Sequence, residues 1–220
     1  MNTPHNPVNK YDAVIFDLDG VITDTARYHY LAWMRLAGTQ GVHFDEEFNE
    51  QLKGIDRMGS LERILMAATR QYSLAEKLAL AEEKNAQYVA LIANMTPDDL
   101  LPGAVRALDS CRAAGMKVGL ASVSKNAFTV LDKLGITAKF DYVVDAAKLA
   151  RGKPDPEIFL KAASALDVPP SRCLGVEDAV AGVASIKAAG MTAVGIGDAT
   201  VLAQADFVIP GLARFDLNHY

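Results

Sequence analysis

The chain has 220 residues, half of them hydrophobic, and its 22 Lys and Arg against 27 Asp and Glu give a formal net charge of −5. This is enough apolar material for one substantial core with a smaller satellite, and no block of basic residues is present to track a nucleic-acid backbone or an anionic membrane. No run reaches the roughly 18 to 20 apolar residues that span a bilayer, and the opening MNTPHNPVNK lacks the apolar centre of a signal peptide, so a soluble, cytoplasmic protein is expected.

Residues 1–10 are polar and aperiodic and read as a flexible tail. The run Ala13-Val14-Ile15-Phe16, closed by acidic residues and Gly20, has the form of a strand buried on both faces of a parallel sheet. From about residue 25 to residue 95 no strand-like run occurs, and apolar residues follow a helical period, as in Leu61, Ile64, Leu65 and Ala68. Short β-rich runs then return at 117–121, 142–144, 173–176, 192–196 and 207–209, separated by stretches of helical spacing such as Val105-Leu108-Asp109-Arg112 and Phe128-Leu131-Leu134. Alternating strands and helices predict an α/β fold with a doubly wound parallel sheet, formed by residues 11–24 and 96–220. Residues 25–95 predict an all-helical cap inserted after the first strand, hinged at its two connections. Cys111 and Cys173 lie in separate apolar stretches without CxxC spacing and read as reduced core thiols.

Ligands of a doubly wound sheet bind beyond the carboxyl ends of its strands, so the residues that follow each strand carry the functional information. Asp17 and Asp19 close the first strand, and two carboxylates one residue apart call for a cation, best a hard one such as magnesium, or for a shared proton. The second strand opens into Ser122-Val123-Ser124-Lys125-Asn126, a polar turn offering hydroxyls and amides to a phosphate. Lys153 stands in a proline-held loop, and Glu177 and Asp178 form a second acidic pair after the fourth strand. Singly, each has an ordinary reading as a solvated turn, a helix cap or a surface lysine; together they place acid, hydroxyl, lysine and acid on four strand ends.

Asp17-Leu18-Asp19-Gly20-Val21-Ile22-Thr23-Asp24-Thr25, Ser122, Lys153 in Lys-Pro-Asp-Pro and Gly175-Val176-Glu177-Asp178 resemble, in order, the four motifs of the haloacid dehalogenase superfamily. The resemblance covers residues 11 to about 210 and implies that Asp17 is the nucleophile, forming an aspartyl-phosphate, and that Asp19 is the general acid and base. It further implies magnesium held by the Asp17 side chain, the Asp19 main-chain oxygen and Asp178, with Glu177 as ligand or neighbour. Ser122 and Lys153 would bind the transferring phosphoryl group.

Within the insertion, His29 and Trp33 one turn apart, the segment from Phe48 through Lys53, Gly54 and Arg57 to Ser60, and Lys84-Asn85 with Tyr88 resemble the cap of the β-phosphoglucomutase branch of that superfamily. With Thr25, Val123, Ser124, Lys125 and Asn126, these residues are expected to hold a sugar phosphate, Arg57 serving a second phosphate group. The implied reaction interconverts β-D-glucose 1-phosphate and D-glucose 6-phosphate with magnesium and β-glucose 1,6-bisphosphate as intermediate. The implied partner is a small-molecule sugar phosphate, with no nucleic acid and no membrane, and a monomer is expected. A sugar-phosphate phosphatase, a mutase for another sugar phosphate, and a non-catalytic phosphosugar-binding protein are the competing readings. Val123, Ala179 after Glu177-Asp178, and Gly152 before Lys153 depart from the branch's usual residues.

Overall fold

Every residue of strand β1 (Ala13–Phe16) is buried, and the strand alternates between two hydrophobic clusters. Val14 and Phe16 enter one cluster, with Leu108, Leu120, Leu131 and Val176, while Ala13 and Ile15 enter the other, with Phe159, Ala162, Val183 and Ile186. A strand that serves two cores has no polar face, which is why its sequence reads as an unbroken apolar run. The computed structural model describes residues 10–52 and 54–220, so the tail expected at 1–10, apart from an exposed Lys10, and the site residue Lys53 fall outside the described residues.

The other strands are β2 (Lys117–Leu120), β3 (Tyr142–Val143), β4 (Cys173–Glu177), β5 (Thr192–Ile196) and β6 (Phe207–Ile209). All pair in parallel, in the order β3-β2-β1-β4-β5-β6, with β1 between β2 and β4. The reversal of strand order beside β1 creates the crevice in which such sheets bind ligands. Strands β2 and β3 each end one residue earlier than expected, and β4 runs one residue further, so that Glu177 is its last residue. Helices α5 (Ala104–Ala113), α6 (Ala127–Lys133), α7 (Glu157–Ala165) and α8 (Val180–Ala188) complete the α/β part. Val105 and Phe128, counted in the helical spacing, lie at the solvent side of α5 and α6 with 37% and 47% exposure.

Among the described residues, four helices occupy the insertion: α1 (Ala26–Thr39), α2 (Glu46–Glu50), α3 (Arg57–Leu65) and α4 (Leu74–Ile92). They share a third cluster built on Trp33, Leu36, Phe44, Leu61 and Ile64. Helix α4 starts with a capping box, Ser73 accepting from the Glu76 amide while Glu76 accepts from the Ser73 amide. Its buried face then comprises Ala81, Lys84, Tyr88 and Ile92, a helical stripe that contains one cation. The two connections to the sheet lie side by side. Thr23 forms an antiparallel bridge with Leu100, its hydroxyl donates to the Asp99 carbonyl at 2.7 Å, and the Leu101 amide donates to the Ile22 carbonyl at 2.9 Å. Among the described residues no helix is long and apolar enough to cross a membrane. Cys111 and Cys173 are buried and unpaired with each other, in agreement with their reading as thiols.

Candidate active site

The carboxyl edge of the sheet and the inner face of the insertion enclose a cavity of about 330 Å³. From the sheet side it is lined by Asp17, Asp19, Gly20, Asp24, Asp178 and the whole turn Ser122 to Asn126. From the helical side come His29, Trp33, Gly54, Arg57, Ser60, Lys84 and Asn85. The structure therefore brings together most of the expected site residues, although they are drawn from separate elements. Thr25, Lys153 and Glu177 do not line the cavity but lie buried behind residues that do.

Lys153 is buried and donates to Asp17 Oδ1 at 2.6 Å and to Glu177 Oε2 at 2.7 Å. Burial works against its charge, but Asp17 and Glu177 outweigh that effect and hold the ammonium above its ordinary proton affinity. Glu177 Oε1 accepts from the Ala179 amide at 3.1 Å, so both oxygens of this carboxylate are engaged. Burial pushes the Glu177 carboxyl up, Asp17 adds to that push, and Lys153 opposes it.

Asp17, Glu177 and Asp178 each bring a carboxylate oxygen within 4.8 Å of the others. Hard oxygen donors gathered around a crevice fit magnesium, which prefers such ligands and leaves shell positions to water or phosphate. Gly20 makes this closeness feasible: its φ of +76° suits glycine, and a β-carbon there would collide with the Asp178 carboxylate.

Asp19 accepts a hydrogen bond from the Thr25 hydroxyl. Burial and, next, the negative charge of Asp17 raise its pKa to about 8, against the opposing pull of Lys153. Asp24, a cavity residue to which the motif resemblance gives no role, raises it further, and its Oδ1 accepts from the Ala26 amide at 3.0 Å at the start of α1.

Behind Asp19, the ammonium of Lys84 lies 2.6 Å from His29 Nδ1, 4.3 Å from the Trp33 ring centroid and 5.0 Å from that of Tyr88. The His29 ring stacks on Tyr88 with centroids 4.0 Å apart. Burial, and then Arg57, lower the Lys84 pKa to about 7, while Asp19 opposes the shift. Burial and the nearby cations Lys84 and Arg57 hold His29 well below its ordinary value, which favours the neutral imidazole.

Arg57 is the first residue of α3, whose amides at Met58 and Gly59 are capped by Asp56 at 2.9 and 3.1 Å. Burial lowers its proton affinity slightly, and its partner Glu82 lies 3.8 Å away with a largely exposed side chain. In the 122–126 turn, Ser122 Oγ accepts from the Ser124 amide at 3.1 Å and Ser124 Oγ from the Asn126 amide at 3.3 Å. Two amides expected to face a phosphate are thus taken by the turn's own hydroxyls.

The helical part rests against the sheet part at two small-residue contacts. A β-carbon on Gly54 would lie 3.3 Å from the Ala179 β-carbon, and one on Gly152 would lie 3.1 Å from Asp56 Oδ2. Gly152 and Ala179, noted in the sequence as departures, thus stand where the two parts touch. Asn49, Leu52, Ile55 and Leu101 also line the cavity. Asn49, Leu52 and Ile55 lie within the cap segment read from the sequence, whereas Leu101 carries an apolar side chain that gives no chemical signal.

The haloacid dehalogenase-like hydrolase profile matches residues 11–190. β-Phosphoglucomutase of Bacillus subtilis is 51% identical over 199 residues, covering 90% of this chain and 88% of that protein. A phosphorylated carbohydrates phosphatase of Thermotoga maritima is 31% identical over 183 residues, covering 82% of each. The crystal structure of β-phosphoglucomutase from Clostridium difficile superposes with a TM-score of 0.92 at 47% identity, covering 95% of both chains. On the family match over most of its length, supported by these relatives, the chain belongs to the haloacid dehalogenase-like hydrolase family.

Proposed function

We propose that the protein is a β-phosphoglucomutase, interconverting β-D-glucose 1-phosphate and D-glucose 6-phosphate through β-glucose 1,6-bisphosphate. The observation that carries this reading is the pairing, in one cavity, of an aspartate nucleophile from the sheet with a guanidinium from the helical insertion. Hydrolysis needs a phosphate site only beside Asp17, whereas a mutase must hold a second phosphate, and Arg57 supplies a cation for it.

Asp17 attacks phosphorus and becomes the aspartyl-phosphate, dividing transfer between two sugar oxygens into two displacements. Lys153 engages Asp17 Oδ1, leaving the other carboxylate oxygen as the attacking atom, and its charge offsets the charge gathering on the phosphoryl group. The Ser122 hydroxyl binds a phosphoryl oxygen. Asp19, whose proton affinity burial and the charge of Asp17 raise, gives its proton to the departing sugar oxygen and in the second displacement takes one from the incoming hydroxyl. Thr25 holds Asp19 Oδ1, which leaves the other oxygen for the proton.

Magnesium bound by Asp17, Asp178 and the Asp19 main-chain oxygen would neutralise phosphoryl charge. Glu177, with both oxygens engaged, serves there by anchoring Lys153. Residues 25–95 act as a cap over the sheet domain of 11–24 and 96–220, and the cap residues exclude water until a sugar hydroxyl is present. The deciding assay follows glucose 6-phosphate formed from β-glucose 1-phosphate, with magnesium and a trace of the bisphosphate, beside inorganic phosphate release. Glucose 6-phosphate in large excess is expected; phosphate as the main product would make water the acceptor.

A further inference from the structure

Asn85 Oδ1 accepts two hydrogen bonds, from Arg57 Nη2 at 2.8 Å and from Asn126 Nδ2 at 2.9 Å. The orientation of the amide is forced, because a guanidinium has only donors and must face the oxygen. The three residues come from α3, α4 and the turn before α6, so this one oxygen joins two helices of the insertion to the sheet part. All three line the central cavity, and all are only partly exposed. Arg57 has a second acceptor in the Glu82 carboxylate, 3.8 Å from its Nη1, so Asn85 Oδ1 is the acceptor that meets its Nη2 and, with it, Asn126 Nδ2.

We propose that Asn85 is a stand-in acceptor: its Oδ1 occupies the two donors, Arg57 Nη2 and Asn126 Nδ2, that the distal phosphate of the sugar takes on binding. The inference rests on the mutase reading, which requires a second phosphate to meet Arg57. It changes the role of Asn85 from a contact for the sugar to a positioning residue that competes with it. A phosphate dianion displaces a neutral amide oxygen from a guanidinium because charge-assisted hydrogen bonds are the stronger ones. A sugar hydroxyl is no stronger an acceptor than the amide and gains nothing by the exchange. Asn85 thereby makes the cap end of the cavity selective for sugars that carry a phosphate there, by raising the threshold an acceptor must pass.

A contact made only in the free state subtracts from binding, so its removal and its reinforcement must act in opposite directions. Calorimetric titration of glucose 6-phosphate in the presence of magnesium, into wild type, Asn85→Ala and Asn85→Asp, reads this directly. Asn85→Ala is expected to bind no more weakly than wild type, and Asn85→Asp about tenfold or more weakly, because its carboxylate pairs with Arg57. A residue that touches the sugar, or one that only maintains the fold, would weaken binding in Asn85→Ala as well; a tenfold loss there overturns the proposal. Equal affinity of Asn85→Asp and wild type would overturn it too. If wild type fails to bind glucose 6-phosphate, the mutase reading and this inference fall together, whereas loss confined to Asn85→Ala removes the inference alone.

Discussion

The Lys84 amino group and the His29 imidazole meet at 2.6 Å, Nζ to Nδ1, on the buried side of the insertion. With its pKa lowered from 10.5 to about 7, folded Lys84 has released by pH 9 a proton that the unfolded chain still holds. The unfolded state therefore binds more protons between about pH 7 and 10.5, and stability contributed through Lys84 rises with pH across that window. Denaturant titrations of ligand-free wild type and Lys84→Met at pH 7 and pH 10 are expected to show wild type gaining on the variant at the higher pH. Parallel profiles would mean that folded Lys84 keeps its proton.

Asp19→Asn retains the shape of the side chain and the main-chain oxygen assigned to magnesium, but not the proton. Turnover is expected to fall by about 10²- to 10⁴-fold, the usual worth of a general acid and base. Magnesium affinity, followed by titration of the metal, stays near that of wild type. A fall of less than tenfold in kcat would remove Asp19 from the proton-transfer role.

Gly20→Ala places a methyl group against the Asp178 carboxylate at a backbone φ of +76°. Changing a residue that supports a metal ligand typically costs about 10- to 100-fold in affinity, and with Asp178 assigned to magnesium the loss expected here is of that order. The variant's magnesium requirement for phosphoryl transfer is the measurement, with higher metal partly restoring the rate.

Arg57→Ala removes the guanidinium assigned to the distal phosphate and leaves Asp17, Lys153 and Ser122 in place. Mutase kcat/KM is expected to fall by about 10²-fold or more, in keeping with the loss of a charged contact of about 3 kcal/mol. Hydrolysis of a small ester such as p-nitrophenyl phosphate, which has no second phosphate, should fall far less. An equal loss in both assays would assign Arg57 to the common chemistry.

The apolar runs of β1, β4 and β5 exposed the sheet because a strand buried on both faces is apolar along its length and carries polar residues, as Glu177 in β4, only at its ends. The candidate site positions were legible at the strand ends for a related reason: buried strands make acids, hydroxyls and lysines conspicuous where they stop. Lys153 was the harder residue, since a loop lysine has a solvated reading, and only Asp17 and Glu177 closing on it from distant positions explain its burial. Lys84 left a clearer trace, a cation on the buried stripe of an amphipathic helix. The turn at 122–126 was legible as a polar turn, but a sequence does not say that its hydroxyl oxygens accept from the Ser124 and Asn126 amides. Leu101 could not have been found, its place in the cavity being set by the pairing of the two connections.

That pairing, Thr23 beside Leu100, means that the insertion departs from and returns to the sheet at practically one point. A segment attached in this way can be lengthened, shortened or exchanged without pulling the strands apart, since the sheet part needs only that the two ends remain neighbours. Under the mutase reading, selectivity and reactivity are thereby heritable separately: the part assigned to phosphorus chemistry can be kept while the part assigned to choosing its acceptor is rewritten.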